Sequence, residues 1–266
     1  MALVACFPDD FPSMSSSRKR ARRGEVLSEG PGGDLVELST TTVIQGGEEL
    51  LFQKRLQPGL FPQGKAPFEL PVIYEDDHVA VIVKPPGVCS HKEKGEHARN
   101  TVKTGLAYAL EPSRAPEPLR RPMPVHRLDA PTGGLLVAAK SRLAITEISR
   151  QFEQREVSKT YRAIVCGRVD GEGSIDMPLG GKESLSFYKS IRVCSSLKHG
   201  EVTLVELSPK TGRTHQLRRH MCHGLGKPLV GDKLYTGGDA DVDDVGLMLW
   251  ATKIEFTHPV SQNTPA

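Results

Sequence analysis

The segment His126-Arg127-Leu128-Asp129-Ala130-Pro131-Thr132-Gly133-Gly134-Leu135-Leu136-Val137-Ala138-Ala139 changes character at its midpoint. The second half, Leu135–Ala139, is a short apolar run of the kind that forms a buried strand. The first half holds Pro131 and two glycines, which favour a tight loop. Asp129 sits in that loop, and the strand behind it would hold the carboxylate fixed at the rim of a cleft. Arg127, two positions earlier, is placed to reach a phosphate or to occupy the position of a displaced base. A lone Asp in a Pro/Gly loop is more often a turn residue, so this segment needs company before it defines a function.

On its N-terminal side, Val72-Ile73-Tyr74, a polar turn Glu75–His78 and Val79–Val83 read as a hairpin. Lys84-Pro85-Pro86-Gly87 ends it, because Pro offers no donor to a ladder. Asn100 is the expected cap of a helix running to Leu110 that buries Val102, Leu106 and Ala109. On the C-terminal side, Ser141 is the expected cap of an amphipathic helix with Ile145, Ile148 and Phe152 on one face. Strands follow at Thr160–Cys166, Val202–Leu207 and Met248–Phe256, with a weaker candidate at Phe187–Val193. Gln216 to His223 reads as a helix closed by Gly224. Strands outnumber helices and several are joined as hairpins, which favours an α+β fold over a doubly wound sheet.

Composition excludes more than it selects. No apolar run approaches the ~20 residues of a membrane span. Five cysteines at 6, 89, 166, 194 and 222, none in a C-x-x-C pair, argue against a disulfide framework or ribbon-type zinc site. The chain is therefore expected to be intracellular, in the cytoplasm or nucleus, with an organelle left open. The net charge of +3 is small but segregated. Residues 120–168 carry ten basic side chains against four acidic ones, and residues 198–233 carry seven against three, while Asp239, Asp241, Asp243 and Asp244 cluster elsewhere. A surface that tracks phosphates has this pattern.

Two further segments carry chemistry. Pro209-Lys210-Thr211-Gly212-Arg213-Thr214-His215-Gln216-Leu217-Arg218 is a loop entering a helix, in which Arg213 is expected to pair with a carboxylate and keep it ionised. Lys159-Thr160-Tyr161 puts a phenol on a strand, where its ring can stack on a base. The group His215, His220, Cys222 and His223 does not share one helical face, so no metal site is expected.

In this order and spacing, His126-Arg127-Leu128-Asp129 with Thr132–Leu136 resembles the catalytic motif of the RluA-class pseudouridine synthases. Lys84–Gly87, Phe152 with Lys159–Tyr161, Thr211–Arg218, and Gly226–Asp232 with Tyr235 extend the resemblance over about residues 70 to 260. The resemblance implies a mixed, mainly antiparallel sheet flanked by helices around a central active-site cleft. It also implies isomerisation of uridines in tRNA or rRNA, without a cofactor or metal. It makes Asp129 the nucleophile, Tyr161 the ring that stacks on the target base, and Arg213 the partner of Asp129. Arg127 enters the helix stack where the base leaves, with His126 and Leu217 as further substrate-binding residues. The chain departs from the family pattern at Gly133, usually Ser; at Trp250, usually His; and at Arg219, usually apolar. Leu185–Ile191 fits it only loosely.

A catalytic domain over 67–266, acting as a monomer, is expected after an N-terminal extension, 1–66, that is basic and partly disordered. Within the extension, Val43-Ile44 and Leu50-Leu51-Phe52 are candidates for a small ordered element. The run Ser15–Arg23 suits a nuclear address, an RNA-binding arm or part of an organelle leader, although Asp9 and Asp10 count against the last. Two other readings stand beside the enzyme. An Asp/His hydrolase using Asp129 and His126 would lack an oxyanion hole. A catalytically inactive RNA-binding protein of the same fold is opposed by the joint presence of Asp129, Tyr161 and Arg213.

Overall fold

The computed structural model describes residues 2–6, 13–22, 26–29, 35–43, 50–52, 68–91, 101–235 and 246–260. Two compact units divide the chain, Met1–Pro58 and Gly59–Ala266. In the first, helices α1 (Ala2–Cys6) and α2 (Met14–Ala21) precede strands β1 (Val26–Glu29), β2 (Leu35–Glu37) and β3 (Leu50–Phe52), paired antiparallel in the order β2-β1-β3. Ser13 caps α2 by accepting from the Ser16 amide at 3.1 Å, and Ala21, Val26 and Leu38 pack with Leu3, Val4 and Leu50. These apolar contacts are scattered along the sequence without a period, which is why the segment reads as a charged tail. Ile44 lies outside the described residues, as do Asn100 and the acidic cluster Asp239–Asp244.

The second unit is built on one nine-stranded sheet. Its strands are β4 (Val72–Glu75), β5 (Val79–Lys84), β6 (Pro118–Pro124), β7 (Gly133–Ser141), β8 (Ser158–Cys166), β9 (Glu172–Asp176), β10 (Leu185–Ser196), β11 (Gly200–Pro209) and β12 (Leu249–Glu255). The order is β4-β5-β7-β12-β8-β11-β10-β9, with β6 also on β7. Every pairing is antiparallel except β7 with β12, which meet in parallel at Gly133–Trp250 and Gly134–Ala251. The helices are α3 (Val102–Ala109), α4 (Arg142–Glu153) and α5 (Gln216–Arg219), the last continuing into a π-helical turn, His220–Gly224.

Alternation along β7 explains its unbroken apolar run. Leu136 and Ala138 pack with Val102 and Leu106 of α3, while Val137 and Ala139 pack with Ala144 and Ile148 of α4. Successive side chains point to opposite faces, and both faces are covered. Beyond β12 the sheet is covered on one side only: Ala163, Val165, Val205 and Leu207 pack against Leu217 and Met221. β11 accordingly alternates between buried and partly exposed residues. Ser141 caps α4 by accepting from the Ala144 amide at 3.2 Å, and Thr101 caps α3. Such a cap is worth about 1 kcal/mol.

Candidate active site

A cleft of about 340 Å³ opens beside the β7–β12 seam, lined by Arg127, Asp129 and Thr132 from one side and by Tyr161, Leu249, Pro209 and residues 211–218 from the other. All six residues expected from the sequence, His126, Arg127, Asp129, Tyr161, Arg213 and Leu217, line it.

Backbone bonds on both flanks hold the Asp129 loop. Ser90 Oγ receives the Leu128 amide at 3.0 Å and donates to the Leu128 carbonyl at 2.9 Å. The Ala130 carbonyl accepts from the Gly87 amide at 2.8 Å and from Lys84 Nζ at 3.0 Å. Lys84 is fully buried, and its other two donors go to the carbonyls of Pro85 and Val88 at 2.9 and 2.7 Å. An ammonium has three donors, and here each has an acceptor. Burial pulls the Lys84 ammonium down to about 8, against the opposing pull of Cys89 and Asp129. Asp129 is thus fixed by its neighbours' backbone while its side chain remains 19% exposed to the cleft. Lys84 and Ser90 are site residues that sequence reasoning missed. Lys84 reads as a strand end, and nothing in its spacing shows that it reaches residue 130.

His126 supports the same loop. Its Nε2 accepts from the Val137 amide at 3.0 Å, and its ring stacks on Phe152 at a centroid distance of 4.9 Å. Burial, with help from Lys159, pushes the imidazole down to about 3, so it stays neutral. Tyr161 sits on β8 opposite Ala251 and packs against the cores on both sides of the seam. Burial and the Asp129 charge push its phenol well above the ordinary value, so the hydroxyl keeps its proton at neutral pH.

The opposite wall is organised by Gln216. Its Oε1 accepts from Thr211 Oγ1 at 2.6 Å and the Arg213 amide at 3.0 Å, while Nε2 donates to the Leu185 carbonyl at 3.0 Å and Ser186 Oγ at 2.9 Å. His215, with φ 52, takes the left-handed conformation that a non-glycine residue adopts only where its surroundings impose it. Its Nδ1 lies 2.9 Å from Tyr235 Oη and its Nε2 4.0 Å from Asp129 Oδ1. The pairing expected of Arg213 is not formed. Its Nε donates to the Glu183 carbonyl at 3.1 Å. The buried guanidinium of the cleft is Arg218, bidentate on Asp232 at 2.8 and 2.6 Å, seated 5.1 Å from the Tyr235 ring centre and influenced by the Asp129 charge. The turn at His215 brings Arg218 into the cleft wall. The sequence shows two arginines in one motif without showing which faces inward.

The histidines and cysteine that invited a metal reading have other contacts: His220 Nε2 with the Met177 carbonyl at 3.0 Å, Cys222 Sγ with the Tyr235 carbonyl at 3.0 Å, and His223 edge-on to Tyr235. Among the described residues no cluster is arranged to hold a metal ion, and no helix is long and apolar enough to cross a membrane.

An open α+β sheet thus carries a carboxylate, a phenol and a guanidinium at one cleft, and comparison with known proteins gives the class. Residues 78–223 match the family model described as RNA pseudouridylate synthase. The chain is 40% identical over 246 residues to ribosomal large subunit pseudouridine synthase D of Pseudomonas aeruginosa, covering 85% of this chain and 71% of that one. It is 35% identical to the dual-specificity RNA pseudouridine synthase RluA of Haemophilus influenzae, covering 73% and 90%. The structure of human RNA pseudouridylate synthase domain containing 1 superimposes with a TM-score of 0.57 at 27% identity, covering 73% and 80%. This chain belongs to the RNA pseudouridylate synthase family, on its RluA/RluD side.

Proposed function

We propose that this enzyme converts uridines of rRNA or tRNA to pseudouridine with Asp129 as the nucleophile. The observation that carries the reading is the loop itself. Leu128 and Ala130 are tied down by backbone bonds on either side of a carboxylate that remains open to the cleft. Such preorganisation is what a nucleophile needs.

In one route the Asp129 carboxylate forms a bond to ribose C1′, and the C1′–N1 bond breaks with its electron pair leaving on the uracil. The base turns in the cleft, C5 bonds to C1′, and the carboxylate departs with the pair it brought. In the other route the carboxylate first adds to C6, the C5=C6 pair moving onto the C4 carbonyl. The C1′–N1 bond then breaks with its pair on N1, the base turns on the carboxylate, and C5 bonds to C1′. Loss of the C5 proton re-forms C5=C6 as the carboxylate leaves. Either way the C5 proton is lost at the end and N1 gains one, so the product is an isomer of the substrate. No electrons are transferred, and the balance calls for no redox partner. Tyr161, protonated at rest, suits stacking on the base. The freed Asp129 carboxylate is then available to take the C5 proton. A stacked uridine must first be extruded, at a cost of a few kcal/mol. Arg127 lies exposed on the cleft wall, where it can enter the vacated position.

The test is pseudouridine formation on rRNA and tRNA transcripts. Asp129→Ala and Asp129→Asn are expected to fold, bind RNA and form no product. Product from either at near the wild-type rate would sink the assignment.

A further inference from the structure

Gly133 and Trp250, two positions at which this chain departs from the family pattern, face each other across the parallel seam. A Cβ placed on Gly133 would lie 2.3 Å from Trp250 Cζ3 and 2.5 Å from Cε3. Even the hydrogens of a bare Cα are close under such a ring, and a Ser side chain has no room. Gly134, at φ 111, brings β7 closer still, since a Cβ there would meet the Ala251 carbonyl oxygen at 2.3 Å. The seam is thus two residue pairs long and depends on the absence of side chains from β7.

Its position gives it leverage. Thr132, next to Gly133, closes the Asp129 turn by donating its amide to the Asp129 carbonyl at 3.0 Å. On the other strand, Leu249 lines the cleft and Ala251 pairs with Tyr161. β12 therefore stands between the strand that carries Tyr161 and the strand that follows the Asp129 loop. Within β12, only Trp250 presses a large side chain onto that second strand's first residue. The ring is 41% exposed, and it is held against β7 from one side.

We propose that Gly133 and Trp250 are one complementary element that sets the spacing between Asp129 and Tyr161, the Trp ring being admissible only opposite a residue without a side chain. They act as positioning residues. The assignment rests on Asp129 as nucleophile for its effect on turnover, but not for the fit between ring and glycine. A Ser placed at 133 under the Trp ring displaces β12 or β7 by a fraction of the Ser side chain. A smaller His ring at 250 makes room for it.

The experiment compares wild type, Gly133→Ser, Trp250→His and the double variant in pseudouridine formation on a structured RNA. A misplacement approaching 1 Å costs up to about a hundredfold in rate, so Gly133→Ser is expected to lower kcat by at least about tenfold with KM little changed. The double variant is expected to return kcat to within about threefold of wild type, a rescue that independent defects would not give. Trp250 is the only tryptophan of the chain, so its emission reports the ring directly, and Gly133→Ser is expected to shift it to the red. If Gly133→Ser fails to fold, recovery of a folded, active double variant supports the pairing, and failure to recover overturns it. A shifted emission with wild-type kcat overturns it too, because the ring has then swung into solvent without moving the site. The shift caused by Gly133→Ser is also measured in an Asp129→Ala background. If that variant proves active yet the shift is present, the nucleophile assignment fails while the fit of ring and glycine stands.

Discussion

The two loops that face each other across the cleft are held by different means. Leu128-Asp129-Ala130 is gripped almost wholly through its backbone, by Ser90, Gly87 and Lys84. Residues 211–218 are gripped through their own side chains, by the Gln216 amide and the Arg218–Asp232 pair. A loop fixed by backbone bonds leaves its side chains available for chemistry. A loop fixed by side chains has committed those that do the fixing, here Gln216 and Arg218, and they cannot be altered without losing shape. The Asp129 side of the cleft is therefore expected to tolerate side-chain changes structurally while losing activity, and the 211–218 side to lose stability first.

The largest effect that tests this contrast is Arg218→Ala. It leaves the Asp232 carboxylate, 1% exposed, without its guanidinium, and breaking a buried pair in this way costs about 3–5 kcal/mol. Denaturant unfolding checks it, and a loss below about 1 kcal/mol would mean that the pair is not what holds this wall.

Lys84 gives a subtler test, because stability and activity should move in opposite directions with pH. Its folded value, about 8, lies below the ~10.4 of a free lysine. Between those values the unfolded chain binds more protons, so this group makes the fold more stable as pH rises from about 8 toward 10. Over the same range the ammonium becomes an amine with two donors for three carbonyls. The grip on Ala130 slackens, and turnover should fall. Lys84→Met is expected to abolish the Lys84-dependent part of both trends. Parallel pH profiles of unfolding free energy and kcat for the two proteins decide it, and identical slopes would remove Lys84 from the account.

The smallest effect is expected at Arg213. A single bond from a half-buried side chain to the Glu183 carbonyl is worth about 0.5–1.5 kcal/mol. Arg213→Ala should melt within a few degrees of wild type and lose mainly RNA affinity. A loss as large as that of Arg218→Ala would return Arg213 to the role first expected of it.

How much of this was legible beforehand follows from where the signal resides. β5, β7, β8, β11 and α4 were readable because burial of a strand or helix face leaves a period in the sequence. β6 was not. It contains Pro118, Pro122 and Pro124, which argue against a strand, and it pairs only with β7, irregularly. β9, Glu172–Asp176, is a short edge strand containing Gly173 and Ser174, with little β-propensity to announce it. The continuous helix expected over 216–223 breaks instead into one α-turn and a π-helical turn, a change of hydrogen-bond register without a compositional mark. The cleft residues were found by the order of motifs, whereas Lys84, Ser90 and Arg218 act through contacts that only the folded chain creates.

The parallel seam has a consequence for how the enzyme comes into being. Parallel neighbours must be joined by a crossover, and here it consists of everything from α4 to the start of β12. On a ribosome adding about 5–20 residues per second, the Asp129 loop is finished on the order of ten seconds before β12 exists. Until then the Gly133–Gly134 end of β7 is flanked by β5 alone, and β12 is not yet there to set the distance of Tyr161 from Asp129. The nascent chain thus carries its carboxylate in an unfinished site. The spacing of Asp129 and Tyr161 is completed only with β12, the last strand among the described residues.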